Sequence, residues 1–417
     1  MNAVSTSCRP FVRGLGALHA FALALALALA LTLASASHAT PYIPADGKLV
    51  VERLPGRANP LQRELLQQRA ELSKNPNDVA RATALARRYI EQARLEGDPR
   101  YLGYAQAALA PWWKLAQASD EVLVLRATLR QSSHQFAQAL ADLDTVLARD
   151  SGNVQARLTR ATVQTVTGDY AGARTSCMRL YSRAPKLIVQ TCMSSVGSVN
   201  GDASASFAKL KETLGRHPDT APGVRTWVQT LLAEMAARAG DNAAADALFR
   251  QAMAGAGPAG ADPDSYLLGA YCDFLLDQGR AAEVAALLKD RTRIDALLLR
   301  YAIAQKAVGA HDAAAQAESL RLRFEAAMLR GDSVHQREQA RFELVLRGDP
   351  ITAVRLALLN WAVQKEPADL RILVETAAAS GDAASARTAL EWIDKTRIED
   401  RTIAASVAKL RAVKVSA

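Results

Sequence analysis

The chain has 417 residues, half of them apolar, 22% charged and only 5% aromatic. That balance excludes a disordered or wholly membrane-embedded chain and leaves room for two or three compact domains or one extended solenoid. The formal net charge is +9, but the basic residues are spread thinly beside acids: Arg87-Arg88 stand near Glu91, and Arg321 and Arg323 near Glu318 and Glu325. No basic stripe interleaved with aromatics forms, so nucleic acid is not an expected partner.

Residues 1–39 contain Arg9 and Arg13 and no Asp or Glu. An apolar run, 15–33, follows, and then the small residues Ala34-Ser35-Ala36-Ser37-His38-Ala39. This is the basic, apolar, small-residue order of a secretory signal peptide, with cleavage before Thr40 and a periplasmic destination the expectation. Its removal lowers the charge excess to +7. The run also approaches the ~20 residues that cross a bilayer as a helix, so the alternative is an inner-membrane anchor through 15–33, the only route to membrane contact. Cys8 precedes the run and is not placed as a lipoprotein cysteine. Residues 40–58, with Pro41, Pro44, Gly47, Pro55 and Gly56, read as an extended linker holding a short strand over 48–54.

From there a repeat governs the chain. Gly168-Asp169-Tyr170 is followed by Ala173, Cys177, Leu180 and Pro185, the pattern of a tight turn and a helix with apolar residues on one face. Thirty-four residues earlier stand Gln135-Phe136, Ala139, Leu143, Val146 and Ser151, and Arg126-Ala127-Thr128 recurs as Arg160-Ala161-Thr162. Two units, 120–153 and 154–187, run in tandem. The turn recurs at Gly97-Asp98, Gly201-Asp202, Gly240-Asp241, Gly279-Arg280, Gly348-Asp349 and Gly381-Asp382, and in degenerate form at Gly309. Stacked helix pairs of this kind bury faces that no pair could bury alone.

The period resembles the tetratricopeptide repeat family. Its second-helix alanine corresponds to Ala139, Ala173 and Ala245, the following bulky position to Leu143, Cys177 and Phe249, and its closing proline to Pro185 and Pro218. The family's early tryptophan is replaced by Leu123, Arg157 and Gln190. The resemblance implies an all-α, right-handed α-solenoid of nine or ten helix pairs: an N-terminal stack over 59–258, a C-terminal stack over 259–417, a bend near 255–263, and a charged capping helix near 402–413. The pattern is strongest over 120–258 and weakest over 59–112 and 290–330.

Other constellations have plain explanations. Arg330-Gly331-Asp332 and Arg347-Gly348-Asp349 read as helix ends and turns, with Arg favoured in the last turn. Cys177 and Cys192 fall on helices that pack together, so the register permits a disulfide, but Cys177 occupies a core position and burial as a small hydrophobe is the first expectation. His134, His217, His311 and His335 show no metal-ligand spacing, and no nucleophile elbow, phosphate loop or zinc-protease motif occurs, so no cofactor and no metal are expected. Trp112-Trp113 suit packing at the start of the stack; an exposed ring there would anchor a partner.

The family resemblance further implies a concave groove for a protein or peptide partner. On the repeat register its lining is Glu121, Thr128, Gln131, Gln155, Leu158, Thr162, Thr165, Thr191, Ser195 and Ser198, a neutral surface of hydroxyls and amides. The Lys, Asn and Arg set of the family's carboxylate-clamp members is absent, which argues against a co-chaperone. The expectation is a non-catalytic exported scaffold or adaptor. The alternatives are a membrane-anchored subunit of an envelope assembly or polysaccharide-export complex and, more remotely, a murein-acting enzyme on a solenoid, for which the repeats leave no room for a catalytic domain.

Overall fold

A computed structural model describes residues 60–256, 263–331 and 334–415. The signal segment 1–39, the linker 40–58 with its strand, and the point between 258 and 259 that separates the two expected stacks lie outside the described residues. Residues 61–417 group into one compact body.

The described residues form twenty α-helices and no strand. After α1 (Pro60–Lys74) come the pairs α2 (Val79–Glu96) with α3 (Arg100–Ala108), α4 (Asp120–Ser132) with α5 (Phe136–Arg149), α6 (Val154–Val166) with α7 (Tyr170–Met178), and α8 (Lys186–Gly197) with α9 (Ala203–Gly215). They continue with α10 (Pro222–Ala239) and α11 (Asn242–Gly255), α12 (Ser265–Asp277) and α13 (Ala281–Leu288), and α14 (Asp295–Ala307) and α15 (Ala313–Leu329). The last pairs are α16 (Gln336–Phe342) with α17 (Pro350–Val363) and α18 (Pro367–Ser380) with α19 (Ala383–Thr396), before α20 (Ala404–Val415). No helix among the described residues is long and apolar enough to cross a membrane.

Several of the recurring turns also cap the helix that follows, although Asp202 and Arg280 do not. Asp169, Asp241, Asp349 and Asp382 accept backbone N–H bonds from the first turn of the following helix, satisfying donors that a helix start leaves orphaned. His134 stands where the next unit has Gly168 and takes the same left-handed conformation, at φ 56 against 83. Ala139, Ala173 and Ala245 are wholly buried, as are Leu143 and Cys177, with Phe249 nearly so. Each large side chain so buried contributes roughly 1.5–3 kcal/mol. Cys177 and Cys192 form a disulfide across α7 and α8, Cα–Cα 5.6 Å.

What the repeat does not foretell is that the coil closes on itself. Ser265 Oγ donates to Arg94 O at 3.2 Å, and the Lys365 amide donates to Val166 O at 2.7 Å. A Cβ at Gly168 would stand 2.5 Å from Trp392 Cη2, so only glycine allows this approach. One apolar core joins Ala161, Tyr170, Ala173 and Val196 from the first coil to Trp361, Leu373, Ala377 and Ile403 from the second. The C-terminal helices therefore pack on the early ones, and the groove becomes an interior.

Candidate functional site: a charged inner chamber

The first helices of five successive pairs, α10, α12, α14, α16 and α18, contribute to one set of cavity walls. Four of these carry charged residues one helical turn apart: Glu234 and Arg238 on α10, Asp273 and Asp277 on α12, Arg337 and Arg341 on α16, Arg371 and Glu375 on α18. A spacing of four residues puts both side chains on one helix face. With Arg300 of α14 they line two adjoining cavities of about 160 and 410 Å³ that share Glu234, Arg238, Asp273, Arg300, Arg337 and Glu338 as walls. Tyr266 stands in the larger cavity with 61% of its surface open.

Ion pairs tie the walls together across long stretches of chain. Asp273 accepts from Arg300 Nη2 and Arg341 Nη1, each at 2.5 Å. Arg371 grips Asp277 through two parallel bonds of 2.7 Å and turns its Nε to Glu375 at 2.7 Å. Arg337 reaches Glu338 at 3.1 Å and Glu366 and Asp369 at 3.3 Å. Asp369 is wholly buried, held also by Asn360 Nδ2 at 2.8 Å and the Glu366 amide at 2.8 Å.

These surroundings set the protonation chemistry. Burial alone would raise the Asp273 carboxyl, but the Arg300 and Arg341 charges hold it well below the usual carboxylate range. Burial raises Glu234, against the pull of Arg238, and raises Glu366, against the pull of Arg337. The Glu234 charge drives the Tyr266 phenol far up; the phenol donates to Glu234 Oε1 at 2.8 Å. Burial, then Arg337, lowers His134. The chamber is thus a polar interior of both charge signs. Its raised carboxyls are tied to wall partners, and solenoid helices continue to Val415 with no separate catalytic domain among the described residues.

The sequence-predicted lining divides. Thr165, Ser195 and Ser198 border the larger cavity, and Ser198 Oγ accepts from Arg238 at 3.3 Å. Thr191 does not line it: it is wholly buried with its hydroxyl on Leu187 O. Leu158 is half-buried against the shared core. Glu121 is exposed and paired with Arg87 at 2.7 Å, and Gln155 and Thr162 are exposed, while Thr128 and Gln131 are half-buried. None of these last five borders the chamber. Trp112 and Trp113 are half-buried against the first core, and their carbonyls accept from Arg126, so they pack rather than project as anchors. The charged wall from Glu234 onward went unpredicted. Its signal was present: carrying the inward register past Ser198 reaches four charged pairs at spacing four.

Among the described residues no group of three or more His, Cys, Asp or Glu is placed to hold a metal. No family model matches the chain, and no curated protein matches it. Solved structures do. Human IFIT1, solved as a dimer with m7Gppp-AAAA, is similar at 12% identity and TM-score 0.42, over 85% of this chain and 86% of that one. A tetratricopeptide repeat protein from Parabacteroides merdae is similar at 12% identity and TM-score 0.27, over 76% and 92%. Yeast Tom70 is similar at 10% identity and TM-score 0.29, over 85% and 89%. The chain is an α-solenoid of tetratricopeptide-like helix pairs.

Proposed function

We propose that the protein is a non-catalytic, exported binding scaffold whose chamber receives a segment of a protein or peptide partner. The observation that carries this reading is the convergence of inner helices from five pairs on one chamber, lined by carboxylates, guanidiniums and hydroxyls that a polypeptide's backbone and charged side chains complement. The larger of its two cavities, about 410 Å³, falls in the range of ligand sites. A rigid, preorganised wall spares the partner part of the cost of ordering the site. Both charge signs line the chamber, which favours a polypeptide segment over a nucleic-acid backbone. The Cys177–Cys192 disulfide and the signal-like segment 1–39 both favour an oxidising, exported setting.

The test is in-cell crosslinking and capture of the tagged full chain, with intact mass on the same sample, run beside Arg238→Glu. Arg238 lines both cavities and has no carboxylate within ion-pair distance among the described residues. One dominant partner, lost in the variant, supports the reading; partner capture that ignores the variant refutes the chamber as the site. Loss of residues 1–39 supports export as a soluble protein, whereas an intact N-terminus among membrane-complex subunits would favour the anchored assembly.

A further inference from the structure

The unit 120–153 holds a buried charge cluster. Arg126, 3% exposed, donates from Nε and Nη2 to the two carboxylate oxygens of Asp142 at 2.9 and 2.6 Å. Arg130 adds a bond to the same carboxylate at 2.7 Å. Thirty-four residues on, the three positions are Arg160, Gln164 and Ser176. The arginine is kept and its counter-ion is gone: Gln164 Oε1 instead accepts from Ser176 Oγ at 2.7 Å. Arg160 Nε is left buried with no hydrogen-bond partner.

Two more guanidiniums gather there. Arg157 and Arg179 border, with Arg160, a cavity of about 480 Å³ on the outer side of α5, α6 and α7, also lined by Ser151, Thr175 and Ser176. Arg157 fills a slot where the preceding unit has buried Leu123, and gives two nitrogens to Ser151 O at 2.8 and 2.6 Å. Arg179 is exposed and has no carboxylate within ion-pair distance among the described residues. Asp144 is the one acid in the lining, bonded to Arg160 Nη1 at 3.0 Å; Asp150 nearby spends an oxygen on the Gly152 amide. Burial, then the charges of Arg179 and Arg160, lowers Arg157 from the ordinary guanidinium range, as expected where positive charge is not locally neutralised.

We propose that this outer cavity is an oxyanion site for a phosphoryl group, whose oxygens supply the acceptors that Asp142 supplies one unit earlier. Three guanidiniums against one carboxylate leave two positive charges, which a doubly charged tetrahedral anion balances and a carboxylate does not. Planar guanidinium forks suit such oxygens. The site lies outside the chamber and does not depend on what the chamber holds.

The test is calorimetric titration of the full-length exported chain with inorganic phosphate. Saturable binding is expected, weakened by about tenfold or more in Arg179→Gln, where a charge-assisted contact is lost from an exposed position. Ser176→Asp restores the missing carboxylate and is expected to abolish binding while raising the melting temperature. Phosphate affinity unchanged in both variants, or no saturation at millimolar phosphate, would overturn the site. So would acetate binding as tightly as phosphate. Co-sedimentation with phosphatidylglycerol vesicles separates the sources: capture that Ser176→Asp abolishes assigns a lipid headgroup, and phosphate binding without capture assigns a soluble phosphoryl ligand.

Discussion

Units 120–153 and 154–187 have the same length, the same turn and the same Arg-Ala-Thr triplet, yet they are held together differently. The first closes its polar interior within itself, through Arg126, Arg130 and Asp142. The second gives up that carboxylate. It is held instead by the Cys177–Cys192 disulfide and by the second coil packed on its turn, where Gly168 meets Trp392 and Val166 O meets the Lys365 amide. A repeat register fixes which positions are buried. It does not fix whether a buried charge is neutralised inside the unit or left for something else.

The largest effect should come from making the first unit like the second. Asp142→Ser strands the buried Arg126 charge and should cost about 3–5 kcal/mol in chemical denaturation. A loss below about 1 kcal/mol would mean that the carbonyls of Trp112, Trp113 and Leu115, which also accept from Arg126, suffice alone. Next, replacing Cys177 and Cys192 together by Ala should remove about 3 kcal/mol, the loop-closure contribution of a 15-residue separation, with an added cavity term at Cys177. The same readout on reduced wild-type protein should fall by a similar amount.

The turns sharpen the contrast further. Gly168→Ala places a Cβ at φ 83 against Trp392 and should cost about 1–3 kcal/mol. His134→Ala, at a turn that already carries a Cβ at φ 56, should stay within about 1 kcal/mol. A larger loss at 134 than at 168 would show that closure of the coil contributes less than local turn strain.

The smallest effect is the pH dependence of the chamber, onto which only the second unit opens. Burial raises the folded-state value of Glu234 above its ordinary value near 4.5. The stability it contributes is present below pH 4.5 and lost as pH rises through the folded value. Glu234→Gln should therefore melt above wild type at pH 7 and alongside it at pH 4. Asp273 runs the other way. Its folded value lies below the ordinary 3.8, so Asp273→Asn should melt below wild type at pH 7, and the gap should narrow as the pH falls through 3.8 toward the folded value. Parallel melting curves for either variant across that range would show that the wall charges are water-screened.

Much of the architecture was legible in the residues. Ala139, Ala173 and Ala245 mark the buried helix crossings, and the Gly-Asp turns mark the break between the two helices of a pair, even over 290–330, where the pattern is faint but α14 and α15 form all the same. The candidate site was legible only in part. Of the expected lining, Thr165, Ser195 and Ser198 border the larger cavity, while Gln155, Leu158 and Thr162, on the same helix as Thr165, do not. Thr191, one turn before Ser195 on α8, is wholly buried instead. The charged wall was missed because its members pair across 68 and 94 residues of chain, as Arg341 does with Asp273 and Arg371 with Asp277.

By itself, then, the sequence determined the helix pairs, their turns and their small-residue crossings, because these are local consequences of a 34-residue period and of which side chains tolerate burial or a left-handed turn. Only the tertiary structure decided that the coil closes, that its groove becomes a charged chamber, that Cys177 bonds Cys192, and that Arg160 lacks the partner Arg126 has. Closure and the chamber depend on the small rotation from one pair to the next, which accumulates along the stack and brings together residues that no spacing in the chain relates; the disulfide and the bare Arg160 depend on local side-chain packing that the register permits but does not fix.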